Sequence, residues 1–308
     1  MGILRRTVER LPVPPSILQI MFGIVVGPSV LDLLHHGHVT SLLAEAGVFV
    51  LLVQVGAHLD IDGMRRVGRD AVTVGVGGVV VPFVVTFSAA RWLIGQPTTA
   101  SLFVATALSV TSIGITAHVF RSNGLLASDE ARIVLGAAVV DDAIGLAILT
   151  LVTATSGTGS FDPSGIGRTA GIVVALGTGL AIGRSTKGAV VTARLSPAAA
   201  LLVPLFFLDI GLQVDLALFR DAHVAGWTVL LTVIAVATKT AAGYLVRSGG
   251  TDRLLVGISM VPRGEVGLVV AGTAIAAGAV TSSAYAMVLA TVVASTIVVP
   301  PLVARRIG

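Results

Sequence analysis

The sequence predicts an all-α membrane protein of about ten transmembrane helices, with an inverted-topology repeat and two discontinuous crossing helices. Three observations predict it. The 308 residues are 55% hydrophobic and only 12% charged, where an ordinary soluble domain carries about 25% charged residues. The apolar residues gather into runs of about 18–25, the length that crosses a bilayer. Most basic residues lie in alternate connections between those runs, and two pairs of segments about 150 residues apart interrupt their helices in corresponding places.

Each run is bounded by charge or by turn residues. The first, about 13–34, follows Arg5, Arg6 and Arg10, and the second, about 40–59, runs into Arg65, Arg66 and Arg69. The third is about 70–94, and the fourth, about 99–121, closes on Arg121. Arg132 marks the start of the fifth, about 130–155, which carries IVLGAAVVDDAIGLAILTLV from Ile133 to Val152. Arg184, Lys187 and Arg194 separate the sixth (about 165–183) from the seventh (about 197–214). The eighth, about 222–246, ends at Arg247, and the ninth, about 253–278, opens on Arg253. The tenth, about 283–304, runs into Arg305 and Arg306. Fifteen of the 20 basic residues therefore sit in alternate connections, against Arg91, Arg168 and Arg220 in the others. The positive-inside rule then expects a multi-pass protein of the cell's inner (plasma) membrane, with both termini cytoplasmic and an even number of spans.

Composition removes several classes of function. There is no cysteine, so neither a disulfide nor a thiolate metal site exists. The net charge of +4 is distributed between apolar segments, which favours membrane topology over nucleic acid. No nucleophile–base pair, metal constellation, P-loop or dinucleotide fingerprint is present, so neither an enzyme nor a cofactor is expected. His35, His36 and His38 read as solvated residues of a short outer loop, and the spacings Gly23/Gly27, Gly167/Gly171 and Gly179/Gly183 as helix-packing contacts.

Six ionisable residues are read at membrane depth: Asp141, Asp142, Asp209, Lys239, Arg263 and Glu265. A charge near a bilayer centre costs roughly 2.5–3.5 kcal/mol on insertion scales, so such residues mark functional sites. Asp141 and Asp142 are neighbours whose proton affinities must be coupled. Adjacent residues stand about 100° apart around a helix, so one can line a cavity while the other meets a partner. Lys239 is the only lysine within a span and the natural partner of Asp141. An acid pair that trades protons inside a membrane is what a proton-coupled ion carrier needs.

The second span ends in VQVGAHLDIDGMRR (Val53–Arg66) and the seventh in LDIGLQVDLALFR (Leu208–Arg220). The fourth contains SVTSIGITAHVF (Ser109–Phe120) and the ninth SMVPRGEVGLVV (Ser259–Val270), each with Ser, Thr, Pro or Gly where a helix should continue. Broken membrane helices free backbone groups that must face protein or a wet cavity. Corresponding breaks in inverted repeats point to a secondary transporter with its site at the crossing. Thr111 and Ser112 bring hydroxyls and freed carbonyls to one break, oxygen ligands suited to a hard cation. Arg263 and Glu265 lie at the other and are expected to hold the broken helices together. The chain reads as one transmembrane domain over 1–308, its first repeat about 13–155 and its second, incomplete one about 197–304.

The runs FGIVVGPSVL (Phe22–Leu31), EAGVFVLLVQVGAHLD (Glu45–Asp60), VVDDAIGLAIL (Val139–Leu149), FFLDIGLQVDL (Phe206–Leu216) and VPRGEVGLVVA (Val261–Ala271), with the Thr111–Ser112 pair, resemble the monovalent cation:proton antiporter superfamily, in its branch of bacterial sodium/proton antiporters. The resemblance implies that Asp142 binds the cation and the proton, that Asp141 pairs with Lys239, and that Thr111–Ser112 and Arg263–Glu265 mark the two crossovers. It implies a transport core of the third, fourth, fifth, eighth, ninth and tenth spans. An aspartate pair there goes with electrogenic sodium/proton exchange, and a homodimer is the assembly the family suggests. The chain is shorter than that pattern by two helices between the sixth and seventh spans, with Leu195–Ala200 as their remnant, and by a helix at the N-terminus. Potassium/proton exchange and a non-transporting remnant or sensor remain as alternatives.

Overall fold

The computed structural model describes residues 15–58, 68–112, 116, 120, 123–125, 128–155, 163–186, 188–263 and 265–307, and among them every regular element is a helix. The chain divides into two compact units. The first comprises Met1–Pro15, Asp62–Ile148 and Leu218–Gly308; the second comprises Ser16–Ile61 and Leu149–Ala217. The first thus gathers the third, fourth, fifth, eighth, ninth and tenth expected spans.

Two triplets of helices build the first unit. In the first triplet, α3 (Arg69–Ser88) is followed by α4 (Thr98–Ala107) and by α5 (Asp129–Thr155), which belongs to this unit as far as Ile148. In the second, α8 (Ala222–Ala242) is followed by an interrupted helix in two pieces, α9 (Arg253–Ser259) and α10 (Glu265–Ala276), and by α11 (Ser282–Ile307). Each triplet is a long helix, an interrupted one and another long one. Pro82 lies inside α3, which continues as a π-helical turn over Ala89–Leu93. Gly75 brings α3 close to α5: a Cβ there would lie 2.7 Å from the Ala137 carbonyl oxygen. Close approach through small residues is how membrane helices pack when lipid competes for every apolar contact.

Of the expected spans, five correspond to helices long and apolar enough to cross a membrane: Arg69–Leu93, Asp129–Ala154, Val190–Leu212, Ala222–Leu245 and Ser282–Val303. The interrupted fourth and ninth are the reason two of the others are shorter. Helix α4 ends at Ala107, and Leu108–Ser112 are non-helical yet buried. Helix α9, capped by Asp252 through the Leu254 and Leu255 N–H groups, ends at Ser259 before Val261, Pro262 and Arg263 leave the helical path. Proline supplies no N–H and turns its predecessor away from helical geometry, which fixes the break.

The second unit holds α1 (Pro15–Val26), α2 (His38–His58), α6 (Pro163–Arg184) and α7 (Gly188–Leu212), with α2 packed against both α6 and α7. Here the sequence reading needs three corrections. The first span ends early because Gly27 and Pro28 turn the chain; the N–H groups of Leu33 and Leu34 fold back onto the Val26 carbonyl. Leu195–Ala200 is no separate remnant but part of the continuous α7, which carries Pro197 and Pro204 within it. Finally, Gly171 faces open space, whereas Gly23, Gly27 and Gly183 do meet a neighbouring backbone. Gly23 and Gly211 are mutually required, since a Cβ on either would enter the other helix's backbone.

Large apolar side chains remain exposed on helices of both units, among them Trp92, Leu151, Leu201 and Val229. That is the expected outer face of helices surrounded by hydrocarbon rather than water.

Candidate functional site

Helix α5 carries Asp141 and Asp142 at its middle, and α8 carries Lys239 near its C-terminal end. Lys239 Nζ lies 2.6 Å from Asp141 Oδ2, and neither side chain has any solvent exposure. Asp142 is also buried, at 9% exposure, and sits one residue further around the helix. Its charge reaches Lys239 as well.

The two breaks meet beside this pair. The Ser112 N–H donates to the Pro262 carbonyl at 2.8 Å, and the Thr111 hydroxyl donates to the Met260 carbonyl at 3.0 Å. The Thr116 hydroxyl donates to the Ser259 carbonyl at 3.0 Å. The oxygens freed by one interruption are therefore taken by donors of the other. Backbone groups in a membrane need such internal partners. Thr111 and Arg263 both lie within electrostatic reach of Asp141.

Arg263 is fully buried. Its guanidinium donates to the Val110 carbonyl at 3.2 Å and to the Ala235 carbonyl at 3.1 Å. It thus clamps one break to helix α8. The Glu265 side chain lies outside the described residues, as do Arg5, Arg6, Arg10, Arg65, Arg66, Arg121 and Lys187 from the charge pattern. Thr296 of α11 completes the clamp, accepting from the Arg263 N–H at 3.3 Å and donating to its carbonyl at 3.0 Å. Sequence reading missed Thr296 because a threonine in an apolar run ordinarily bonds its own helix.

The structure so brings Asp141, Lys239, Arg263 and Thr111 into one buried cluster, with Asp142 and Ser112 adjoining. Asp142 and Asp141 balance Lys239 and Arg263 in formal charge, which is what makes four ionisable groups tolerable at this depth. Asp209 belongs elsewhere. It lies in the second unit, 4% exposed, with Oδ1 2.9 Å from His36 Nδ1 and Oδ2 accepting from Gln213 Nε2 at 2.9 Å. His36 is therefore not simply a solvated loop residue, and the helical spacing of Asp209 and Gln213 was the available signal. His35 pairs with exposed Asp32, whose φ of 55° is one that aspartate adopts readily.

Comparison with known proteins agrees with this geometry. The family described as sodium/hydrogen exchanger, transmembrane, matches the chain over residues 1–186 and 166–305. The chain is similar to the high-affinity Na(+)/H(+) antiporter NhaS3 of Synechocystis, 29% identical over 85% of this chain and 70% of that protein. It is 26% identical to the Na(+)/H(+)-K(+) antiporter GerN of Bacillus cereus, over 96% of this chain and 90% of that one. Its fold resembles the sodium proton antiporter MjNhaP1 of Methanocaldococcus jannaschii with a TM-score of 0.73, at 13% identity over 97% and 96% of the two chains. With the family matched across both repeats, the chain belongs to the sodium/hydrogen exchangers of the monovalent cation:proton antiporter superfamily, multi-pass membrane antiporters rather than enzymes.

Proposed function

We propose that this protein exchanges sodium for protons electrogenically, with Asp142 as the carboxylate for which cation and proton compete. The observation that carries the reading is the 2.6 Å ion pair between Asp141 and Lys239. It commits one of two adjacent acids to a fixed partner, while the next residue presents its carboxylate about 100° away on the same helix. The Thr111 and Ser112 hydroxyls and the carbonyls of the break, oxygens that keep a lone pair beyond one hydrogen bond, add ligands suited to a hard cation. Arg263 and Glu265 support the crossover. A non-transporting remnant would have little reason to keep four buried ionisable groups at several kcal/mol of insertion cost. Both termini are assigned to the cytoplasm of the plasma membrane on the arginine asymmetry, and the protein to a homodimer on the family resemblance.

Potassium is the second reading, and its support is specific: the similar GerN carries K(+) as well as Na(+) in its name. Proteoliposomes loaded with a pH-sensitive dye and pulsed with sodium, lithium or potassium separate the two. Sodium-driven proton movement abolished in Asp142→Asn is the expected result, because an amide neither titrates nor neutralises a cation. Undiminished exchange in that variant would overturn the role of Asp142, and a response to potassium alone would replace sodium.

A further inference from the structure

A second polar site lies in the first unit, away from the aspartate pair. A cavity of about 840 Å³ opens where α3 and α5 begin and where α8 connects to α9. Arg69, Arg132 and Arg247 line it, from three separate segments, together with Thr73, Ser248 and Thr251. Asp70 and Asp129 also contribute, but both are already engaged. Asp70 accepts the backbone N–H groups of Arg247 at 3.1 Å and Ser248 at 3.0 Å, and the Ser248 hydroxyl as well. Asp129 accepts from Arg132 Nη1 at 3.1 Å. Among the described residues, neither the Arg69 nor the Arg247 guanidinium has a carboxylate partner. Helix α3 begins at the same wall, with Gly68 at its N-cap and Asp70 in its first turn.

We propose that this cavity binds a phosphate group, held by Arg69, Arg132 and Arg247. The planar guanidinium fork matches phosphate oxygens in paired hydrogen bonds, which a lysine cluster does not offer. Asp70 works as a buttress: by tying down the Arg247–Ser248 backbone it fixes one wall of the site. A free inorganic phosphate would leave most of the volume empty, since cavities of roughly 300–1,000 Å³ suit drug-sized ligands. The phosphate therefore arrives on a larger body, either a phospholipid headgroup or a soluble phosphate ester. The site lies on the arginine-rich side that the charge pattern assigns to the cytoplasm, where both are available.

The full-length protein in detergent tests this by its melting temperature with four probes: phosphatidylglycerol, diacylglycerol with the same acyl chains, inorganic phosphate and ATP. Stabilisation by phosphatidylglycerol but not diacylglycerol identifies a lipid headgroup; stabilisation by ATP with no lipid effect identifies a soluble ester. Either response should weaken at least tenfold in apparent affinity in the Arg69→Gln/Arg247→Gln double variant and fade with added salt. Arg220→Gln, at an exposed arginine outside the cavity, should respond as the parent does. If the double variant folds poorly, Arg132→Gln alone, read by lipid or nucleotide retention in native mass spectrometry, replaces it. Equal stabilisation by diacylglycerol and phosphatidylglycerol, no response to any phosphate probe, or an unchanged response in the arginine variants would overturn the proposal.

Discussion

Replacing Lys239 by methionine keeps an unbranched side chain, one atom shorter, and removes the ammonium with its charge and its hydrogen bond to Asp141, so it probes the worth of the buried pair. The ammonium sits 2.6 Å from Asp141 with both groups fully buried. Breaking such a pair by removing one partner typically costs about 3–5 kcal/mol. Arg263 remains within electrostatic reach of Asp141 after the change, so the loss belongs at the lower end, about 3 kcal/mol. The reciprocal change, Asp141→Asn, strips both Lys239 and Arg263 of an acid and belongs at the upper end, about 5 kcal/mol. The double change Asp141→Asn/Lys239→Met leaves no pair to break and should recover most of the loss, giving a coupling energy of opposite sign to the single effects. Melting of the four proteins in one detergent, followed by loss of monodisperse material on heating, measures all three numbers. Additive losses would show that the two charges do not support one another. A lysine variant less stable than the aspartate variant would refute the balance drawn between Arg263 and Lys239.

Sodium and protons competing for one carboxylate require apparent sodium affinity to weaken as pH falls, so half-saturation in liposomes measured over two or more pH units should rise steadily; a flat profile would mean separate sites. Arg263→Lys keeps the charge but offers one compact donor group where the guanidinium spans the Val110 and Ala235 carbonyls, so it should cost about 1–3 kcal/mol for the carbonyl left unpaired. Melting equal to the parent would show that the clamp does not hold the break. At the connection before α9, burial pushes the Asp252 carboxyl up, but the Arg306 hydrogen bond and charge and the Leu254 and Leu255 N–H groups outweigh it and hold the carboxyl below its usual range. A lowered acid stabilises above its unfolded pKa of about 3.9 and loses that contribution as pH falls through its folded value. The stability gap between the parent and Asp252→Asn should therefore be constant near neutral pH and close below about pH 4; a gap that widens on acidification would refute it.

The long spans were legible because hydropathy and arginine placement are summed over many residues, and local errors average out. The interruptions were legible too, since Pro262 and the Ser–Thr cluster at 109–112 sit where a continuous helix would hold neither comfortably. Lys239 could be matched to Asp141 because a lone lysine in an apolar run has few ways to be satisfied. What sequence could not supply was which acceptors Arg263 would choose. The guanidinium takes carbonyls of residues 110 and 235, far away in sequence. Backbone acceptors carry no sequence signal, so a contact of this kind is invisible until the crossing is built. The pairing of His36 with Asp209 escaped for a different reason: it joins side chains 173 residues apart, and the turn that carries His36 follows a path that Gly27, Pro28 and Asp32 decide.

The ion pair and the crossover form one mechanical unit. Ala235 and Lys239 lie four residues apart on α8, so a single helix face offers a carbonyl to Arg263 and an ammonium to Asp141. On the other side, Val110 accepts from Arg263 while its neighbour Thr111 binds the Met260 carbonyl and stands beside Asp141. Any movement of α8 that separates Lys239 from Asp141 must therefore also pull on Arg263, and through it on both interrupted segments. Independent charges would let the aspartates rearrange while the crossing stayed still; shared elements do not. The quantity that distinguishes these is the coupling between Lys239→Met and Arg263→Lys. The shared helix face requires it to depart from additivity by more than the roughly 0.3–0.5 kcal/mol seen for unconnected sites.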